Sequence, residues 1–185
     1  LKKQALGSQR LVEELMLLAN KLVAHKLSEL KVSLYRIHDL PDSSKIKELA
    51  NYLNKSKREG TKTNLSGKNL SVFINKLLTE KQENIDHHII ENLILRAMSK
   101  AKYSTKNIGH YGLGFENYTH FTSPIRRYSD LIIHRLLDSC LIKKKVNLLD
   151  LEKSCVHFSN TERVYLDIER KINKFIQLKL LENKI

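Results

Sequence analysis

The sequence predicts an α+β chain that is predominantly helical, with a few short strands. Three observations carry this expectation. Only two prolines, Pro41 and Pro124, and six glycines interrupt 185 residues, so helices meet few breakers. Apolar residues return again and again at three- and four-residue spacing. Val32–His38 instead places Val32, Leu34 and Ile37 in a rough alternation, which reads as a short strand running into a turn at Pro41.

Leu11, Val12, Leu15, Leu18, Ala19, Leu22 and Val23 form a wide apolar stripe, expected to be the core face of a first helix with Ser8 as its N-cap. Glu13, Leu17 and Asn20 fall on a different face, because positions four and seven apart stack. Beyond the strand, Asp42 or Ser43 can cap a helix over 44–56, and Gly60–Lys68 reads as a polar loop. Ser71–Lys81 and Ile85–Lys100 look like two more helices, the second built on Ile89, Ile90, Leu93, Ile94, Ala97 and Met98. Gly109–Phe121 breaks the helical pattern with three glycines and four aromatics. Ser123–Leu141 is expected to be a strong helix with Ile125, Tyr128, Leu131, Ile132 and Leu136 toward a core, and Lys143–Lys145 a solvated basic turn. Leu148–Leu181 completes the chain as a long helical region, continuous or interrupted. With no internal repeat and no low-complexity linker, residues 1–185 read as one domain or a large part of one.

Thirty-three Lys and Arg against 20 Asp and Glu give a formal charge of +13 and a pI near 9.7. That excess favours a polyanionic partner through counterion release and steering, without saying which polyanion. Lys-rich surfaces also arise from composition alone. Cys140 and Cys155 form no CxxC pair and read as reduced thiols of a cytoplasmic protein. No apolar run approaches the roughly 18 residues of a membrane span, and Leu1–Gly7 has no signal-peptide core. The absence of an initiating Met suggests a chain cut from a longer protein.

Chemistry concentrates in Gly112–Tyr128. Pro124 suits the first position of a helix and Ser123 or Thr122 its cap, which would place Arg126 and Arg127 in the first turn. Unpaired N–H groups, a partial positive charge, hydroxyls and two guanidinium forks would then converge on an anion. The competing reading is an ordinary capped helix whose arginines are solvated or paired, with Arg126 and Asp130 at salt-bridge spacing. Weaker constellations point elsewhere. His87, His88 and Glu91 could form a metal pair but sit in a polar helix. His110, His120 and His157 show no ligand spacing. Asp150/Glu152 and Asp167/Glu169 point to different helix faces, so they read as solvated charges. Ser123 near His120 lacks the third member of a triad, and Gly109, Gly112 and Gly114 do not fit a dinucleotide fingerprint.

The run His120-Phe121-Thr122-Ser123-Pro124-Ile125-Arg126-Arg127-Tyr128-Ser129-Asp130-Leu131-Ile132-Ile133-His134-Arg135 closely resembles the HFTSPIRRYxDLxxHR signature of the RNase II/RNase R (RNB) catalytic domain. Ser8–Asn20 resembles that family's VEExMxxAN helix, and Leu34–His38 with Pro41 its LYRVHxxP strand. Glu162-Arg163 and Glu169-Arg170 are similar to the paired ER motifs of its closing helix, so the resemblance spans nearly the whole chain and leans toward RNase R.

The resemblance implies a processive 3′→5′ exoribonuclease that hydrolyses single-stranded RNA to nucleoside 5′-monophosphates. Arg126 would bind the phosphate near the scissile bond, with Arg127 as a second candidate, and Thr122 and Ser123 would hold backbone phosphates. Glu13, or Glu14 one register away, would meet the 3′-terminal nucleotide, while Tyr128 and His134 read as core or salt-bridge partners. The family's two-metal hydrolysis uses Mg²⁺ held by a DxxDxDD-type run before the VEExMxxAN helix, and no such run stands in this sequence. The chain is therefore expected to be the C-terminal half of the catalytic domain, a predominantly helical fragment without the metal-binding half or the flanking OB-folds. It is expected to be inactive alone, to expose apolar surface, and to have the missing N-terminal half as a partner. One alternative is a non-catalytic RNA-binding module that has lost the metal site. Another is a plain helical interaction domain whose charge is compositional.

Overall fold

The computed structural model describes residues 6–55, 67–79, 85–142 and 148–182. The basic turn at Lys143–Lys145 and residues 60–66 of the expected polar loop lie outside the described residues, while Gly67 and Lys68, read as the end of that loop, open a helix. The elements in chain order are α1 (Gly7–Glu29), β1 (Tyr35–Ile37), α2 (Ser43–Lys55), α3 (Gly67–Thr79), α4 (Ile85–Ala97), β2 (Lys102–Ser104), a 3-10 turn at Tyr111–Leu113, α5 (Tyr128–Leu141) and α6 (Leu148–Glu182). The fold is thus the helix-rich α+β chain that the pattern predicts. It divides into two compact units, Leu1–Ile37 with Ala101–Ile185, and His38–Lys100.

The second of these units is helical. Ile46, Leu49 and Leu53 of α2, Leu70, Ile74 and Leu77 of α3, and Ile90, Ile94 and Ala97 of α4 form one buried cluster. Each set repeats at three- and four-residue spacing, the periodicity of one helix face. Asp42 caps α2 by accepting from the Ser44 N–H at 2.9 Å. Ile89, expected in this core, is 38% exposed.

The first unit is built on a two-stranded antiparallel sheet in which Arg36 pairs with Tyr103. β2 is three residues long and escaped the sequence reading, because so short a segment shows no period. Leu27 of α1, Leu34, Tyr103, Ile133 and Leu136 of α5, and Leu151 and Cys155 of α6 form its core. Burial holds the Cys155 thiol protonated, its pKa pushed up to about 11.

The structure differs from several of the expectations. α1 begins at Gly7 and its first turn is closed by the Gln9 side chain, which accepts from the Leu6 N–H, so Ser8 is not the cap. Leu11, Val12, Leu15, Leu18 and Leu22, read as the core stripe, are all more than half exposed, and the buried side of α1 carries Asn20, Ala24 and Leu27. The reason is that the 118–122 segment packs on the Asn20 side. Helix α5 starts at Tyr128, not Ser123, and Ile125 and Tyr128 point outward. α6 runs uninterrupted over 35 residues, and its side chains from Arg163 onward are exposed on every face.

Candidate nucleic-acid interface

The segment Tyr118–Asp130 crosses the first unit and is tied down at nearly every residue. The Arg36 N–H of β1 donates to the Tyr118 carbonyl at 2.8 Å. Thr119, fully buried, donates its hydroxyl to the Leu34 carbonyl. Asn20 of α1 accepts from the N–H of Phe121 at 2.9 Å and of Thr122 at 3.2 Å through one oxygen. Its amide donates to the Tyr118 hydroxyl at 3.2 Å. The Phe121 ring stacks on His134 of α5 at 4.1 Å between centroids, with a His134 nitrogen 3.1 Å from the Phe121 carbonyl.

The chain then makes one tight turn. The Ser123 carbonyl accepts from the N–H groups of both Arg126 (3.3 Å) and Arg127 (3.0 Å). Arg127 adopts an extended backbone (φ −126°, ψ 112°), which ends the turn before α5 begins. The separation has a visible cause in Asp130, whose side chain is fully buried. One oxygen of Asp130 accepts from the Ser123 N–H at 2.8 Å and from Arg127 Nη2 at 2.8 Å and Nε at 3.2 Å. That carboxylate draws Ser123 and Arg127 together and holds the turn apart from the helix that follows.

The structure departs from the sequence expectation at two points. The amides of Thr122, Ser123, Arg126 and Arg127 already have protein acceptors, so they are not open to an anion. The ion pair to Asp130 comes from Arg127, three residues away, and not from Arg126. Arg126 is exposed, and no hydrogen bond or ion pair holds its guanidinium among the described residues. Thr122 has a buried hydroxyl oxygen without a partner among the described residues, and Ser123 is half-buried. Glu13 and Glu14 are both exposed, and Glu13 lies seven residues, about 10 Å of helix, before Asn20 on α1.

His120 belongs to the same segment. Its Nδ1 lies 2.8 Å from the Tyr103 hydroxyl, which also meets Ser129 Oγ at 3.0 Å. Burial, followed by the charges of Arg127 and Arg36, drops its pKa to about 3, so the ring is neutral at physiological pH. Burial also raises the Tyr103 hydroxyl above its ordinary value. Arg36 stacks over the Tyr103 ring at 4.7 Å and makes a two-pronged pair with Glu162 of α6, at 2.6 and 2.9 Å. Glu162 was noticed only as a motif, and Asn20 only as a marker of helix register. Their partners lie about a hundred residues away in sequence, where no spacing rule reaches. Among the described residues no group of three or more His, Cys, Asp or Glu is placed to hold a metal ion. His88 makes only an exposed contact to Glu91 at 3.3 Å. Among the described residues no helix is long and apolar enough to cross a membrane.

The site is thus a turn on a helical α+β scaffold, fixed by buried side chains, with the Arg126 side chain exposed. Comparison with known proteins narrows this. The RNB domain family matches residues 1–143, and the chain belongs to that family. Ribonuclease R of Aquifex aeolicus is 34% identical over 183 residues, covering 96% of this chain and 26% of that protein. Among solved structures, the apo form of Mycoplasma genitalium RNase R superposes with a TM-score of 0.83 at 30% identity, over 99% of this chain and 30% of that one. The same protein in complex with ribose-methylated single-stranded RNA gives 0.78 at 31% identity, over 94% of this chain and 28% of that one. The chain is RNase R-like, and it spans about a quarter of the length of the relatives it matches.

Proposed function

We propose that the chain is part of a processive 3′→5′ exoribonuclease that degrades single-stranded RNA to nucleoside 5′-monophosphates in the cytoplasm, and that this portion holds the RNA backbone near the active site. The observation that carries the reading is Arg126, an exposed guanidinium without an ion pair among the described residues, on a turn whose backbone amides and neighbouring Arg127 are engaged. A planar fork of that kind grips phosphate oxygens bidentately and reads no base. Arg127 is tied to Asp130 and contributes charge more than contact. Ser123 offers a half-buried hydroxyl at the same turn, the Thr122 hydroxyl lies buried beside it, and Glu13 addresses the 3′-terminal nucleotide from α1. RNA bound to an RNase R of closely similar fold supports the substrate class.

The hydrolysis itself needs Mg²⁺, which activates water and stabilises the leaving oxygen. The described residues do not fit such a site, since they bring no carboxylate cluster together. The ligands are assigned to the N-terminal half of the domain, which is the proposed partner of this portion. On this assignment the chain alone is expected to leave RNA uncleaved.

One labelled single-stranded oligo(A) tests both statements. With Mg²⁺ or EDTA, the purified chain is expected to leave the oligonucleotide intact on a denaturing gel. Arg126→Ala should weaken binding about tenfold, the value of one lost charged hydrogen-bond pair. It should also flatten the dependence of log affinity on log salt by about 0.7, one phosphate on a single strand. Unchanged affinity would remove Arg126 from the reading, and metal-dependent shortening would show that the chain carries its own metal site.

A further inference from the structure

Three consecutive backbone N–H groups just before the arginines are captured by two buried side chains from different helices. Phe121 and Thr122 donate to Asn20 of α1, and Ser123 donates to Asp130 of α5. Asn20 is 4% exposed and Asp130 fully buried. We propose that Asn20 and Asp130 are positioning residues, a two-point clamp that fixes the turn through Ser123 so that Arg126 stays outside as the free phosphate-holding arginine. This rests on the reading of Arg126 given above.

The chemistry suits the task. Two converging N–H groups demand an acceptor, so the Asn20 oxygen must face them. Its amide then faces the Tyr118 hydroxyl, and that contact locks the side chain in the required orientation. Tyr118 itself makes T-shaped ring contacts with His110 at 5.3 Å and His120 at 5.7 Å. At the other end Asp130 selects between two adjacent arginines. By binding Nε and Nη2 of Arg127 it keeps that guanidinium inside, and leaves Arg126 as the one exposed at the surface. The clamp therefore converts a pair of identical side chains into one structural and one recognition residue. It also removes three amides from competition for the anion, so recognition passes to the guanidinium.

A residue acting through Arg126 differs from a merely stabilising one in a double-mutant cycle. Oligo(A) affinity and its salt slope would be measured for Asn20→Ala, Arg126→Ala and the double variant. Asn20→Ala is expected to lower the salt slope by the same ~0.7 as Arg126→Ala, with no further loss in the double variant. Asn20→Asp, which keeps the accepting oxygen, should leave hydrogen exchange at Phe121 and Thr122 slow. Tyr118→Phe removes only the hydroxyl that orients Asn20 and serves where Asn20→Ala folds poorly; it should weaken binding in the same direction. Hydrogen exchange at Phe121 and Thr122 should quicken in Asn20→Ala and in Tyr118→Phe. If Arg126→Ala flattens the slope but Asn20→Ala keeps it, or if the two losses simply add, the clamp is overturned while the phosphate reading stands. If Arg126→Ala itself changes nothing, the phosphate reading falls and the clamp's purpose with it.

Discussion

Glu162→Gln probes how α6 is held to the strand pair. Glu162 receives both terminal nitrogens of Arg36, at 2.6 and 2.9 Å, and the two side chains are 33% and 12% exposed. A fully exposed pair contributes at most about 1 kcal/mol, whereas breaking a buried one costs about 3–5 kcal/mol. A third of Glu162 still meets solvent, so the loss should fall between these limits, near 2 kcal/mol. The charge left behind on Arg36 would keep the Tyr103 ring, 4.7 Å away, and a neutral amide oxygen in place of the carboxylate. For a chain of this size each kcal/mol moves the melting temperature by about 2–4 °C, which gives an expected drop of about 4–8 °C. Thermal melts of Glu162→Gln, Arg36→Met and the double variant would also yield a coupling energy, expected near 1–2 kcal/mol. Because the Arg36 end is buried, that coupling should persist at about 0.5 M salt. A melting temperature within about 1 °C of wild type, or a coupling that vanishes in salt, would refute the reasoning.

His120 should make stability depend on acid. Its folded pKa of about 3 lies below the ordinary 6.5, so the unfolded chain gains a proton first. Its contribution is complete above pH 6.5 and is lost between there and about 3, by up to about 1.4 kcal/mol per pH unit. Urea melts from pH 7 to 4 should show a shallower decline for His120→Asn; parallel curves would exclude His120 as the cause. Gly109 and Gly114 both have positive φ, +80° and +67°, but a Cβ on Gly109 would meet the Phe115 carbonyl at 3.3 Å whereas one on Gly114 meets nothing within 4 Å. Gly114→Ala should therefore cost about 1 kcal/mol from backbone strain alone, and Gly109→Ala clearly more. Equal melting shifts would show that the carbonyl gives way freely.

The exposed apolar residues of α1 carry a lesson about periodicity. A stripe such as Leu11, Leu15, Leu18 and Leu22 reports that one helix face favours an apolar neighbour, but not which segment supplies it. In the described residues the buried face is instead the one bearing Asn20, which the spacing sets apart from the apolar stripe. The turn before α5 shows the same limit. Pro124 and Ser123 are good helix-start residues, yet a buried Asp130 side chain bonds Ser123 and Arg127 and delays the helix to Tyr128. A local rule was overridden by one carboxylate with nowhere else to place its charge.

Helical content, the existence of the five helices after the first strand (though not the starts of α3 and α5), and the signature around Arg126 follow from the sequence, because spacing and residue type are local properties. So does membership of the RNB family, since an ordered motif survives without coordinates. Which arginine is free was decided only by the fold. So were the pairing of Arg36 with Glu162, the capture of Phe121 and Thr122 by Asn20, and the neutral state of His120. Each depends on groups that burial brings together from distant parts of the chain, and in a low-dielectric interior a hydrogen-bond partner or a nearby charge outweighs the local preferences that a sequence displays.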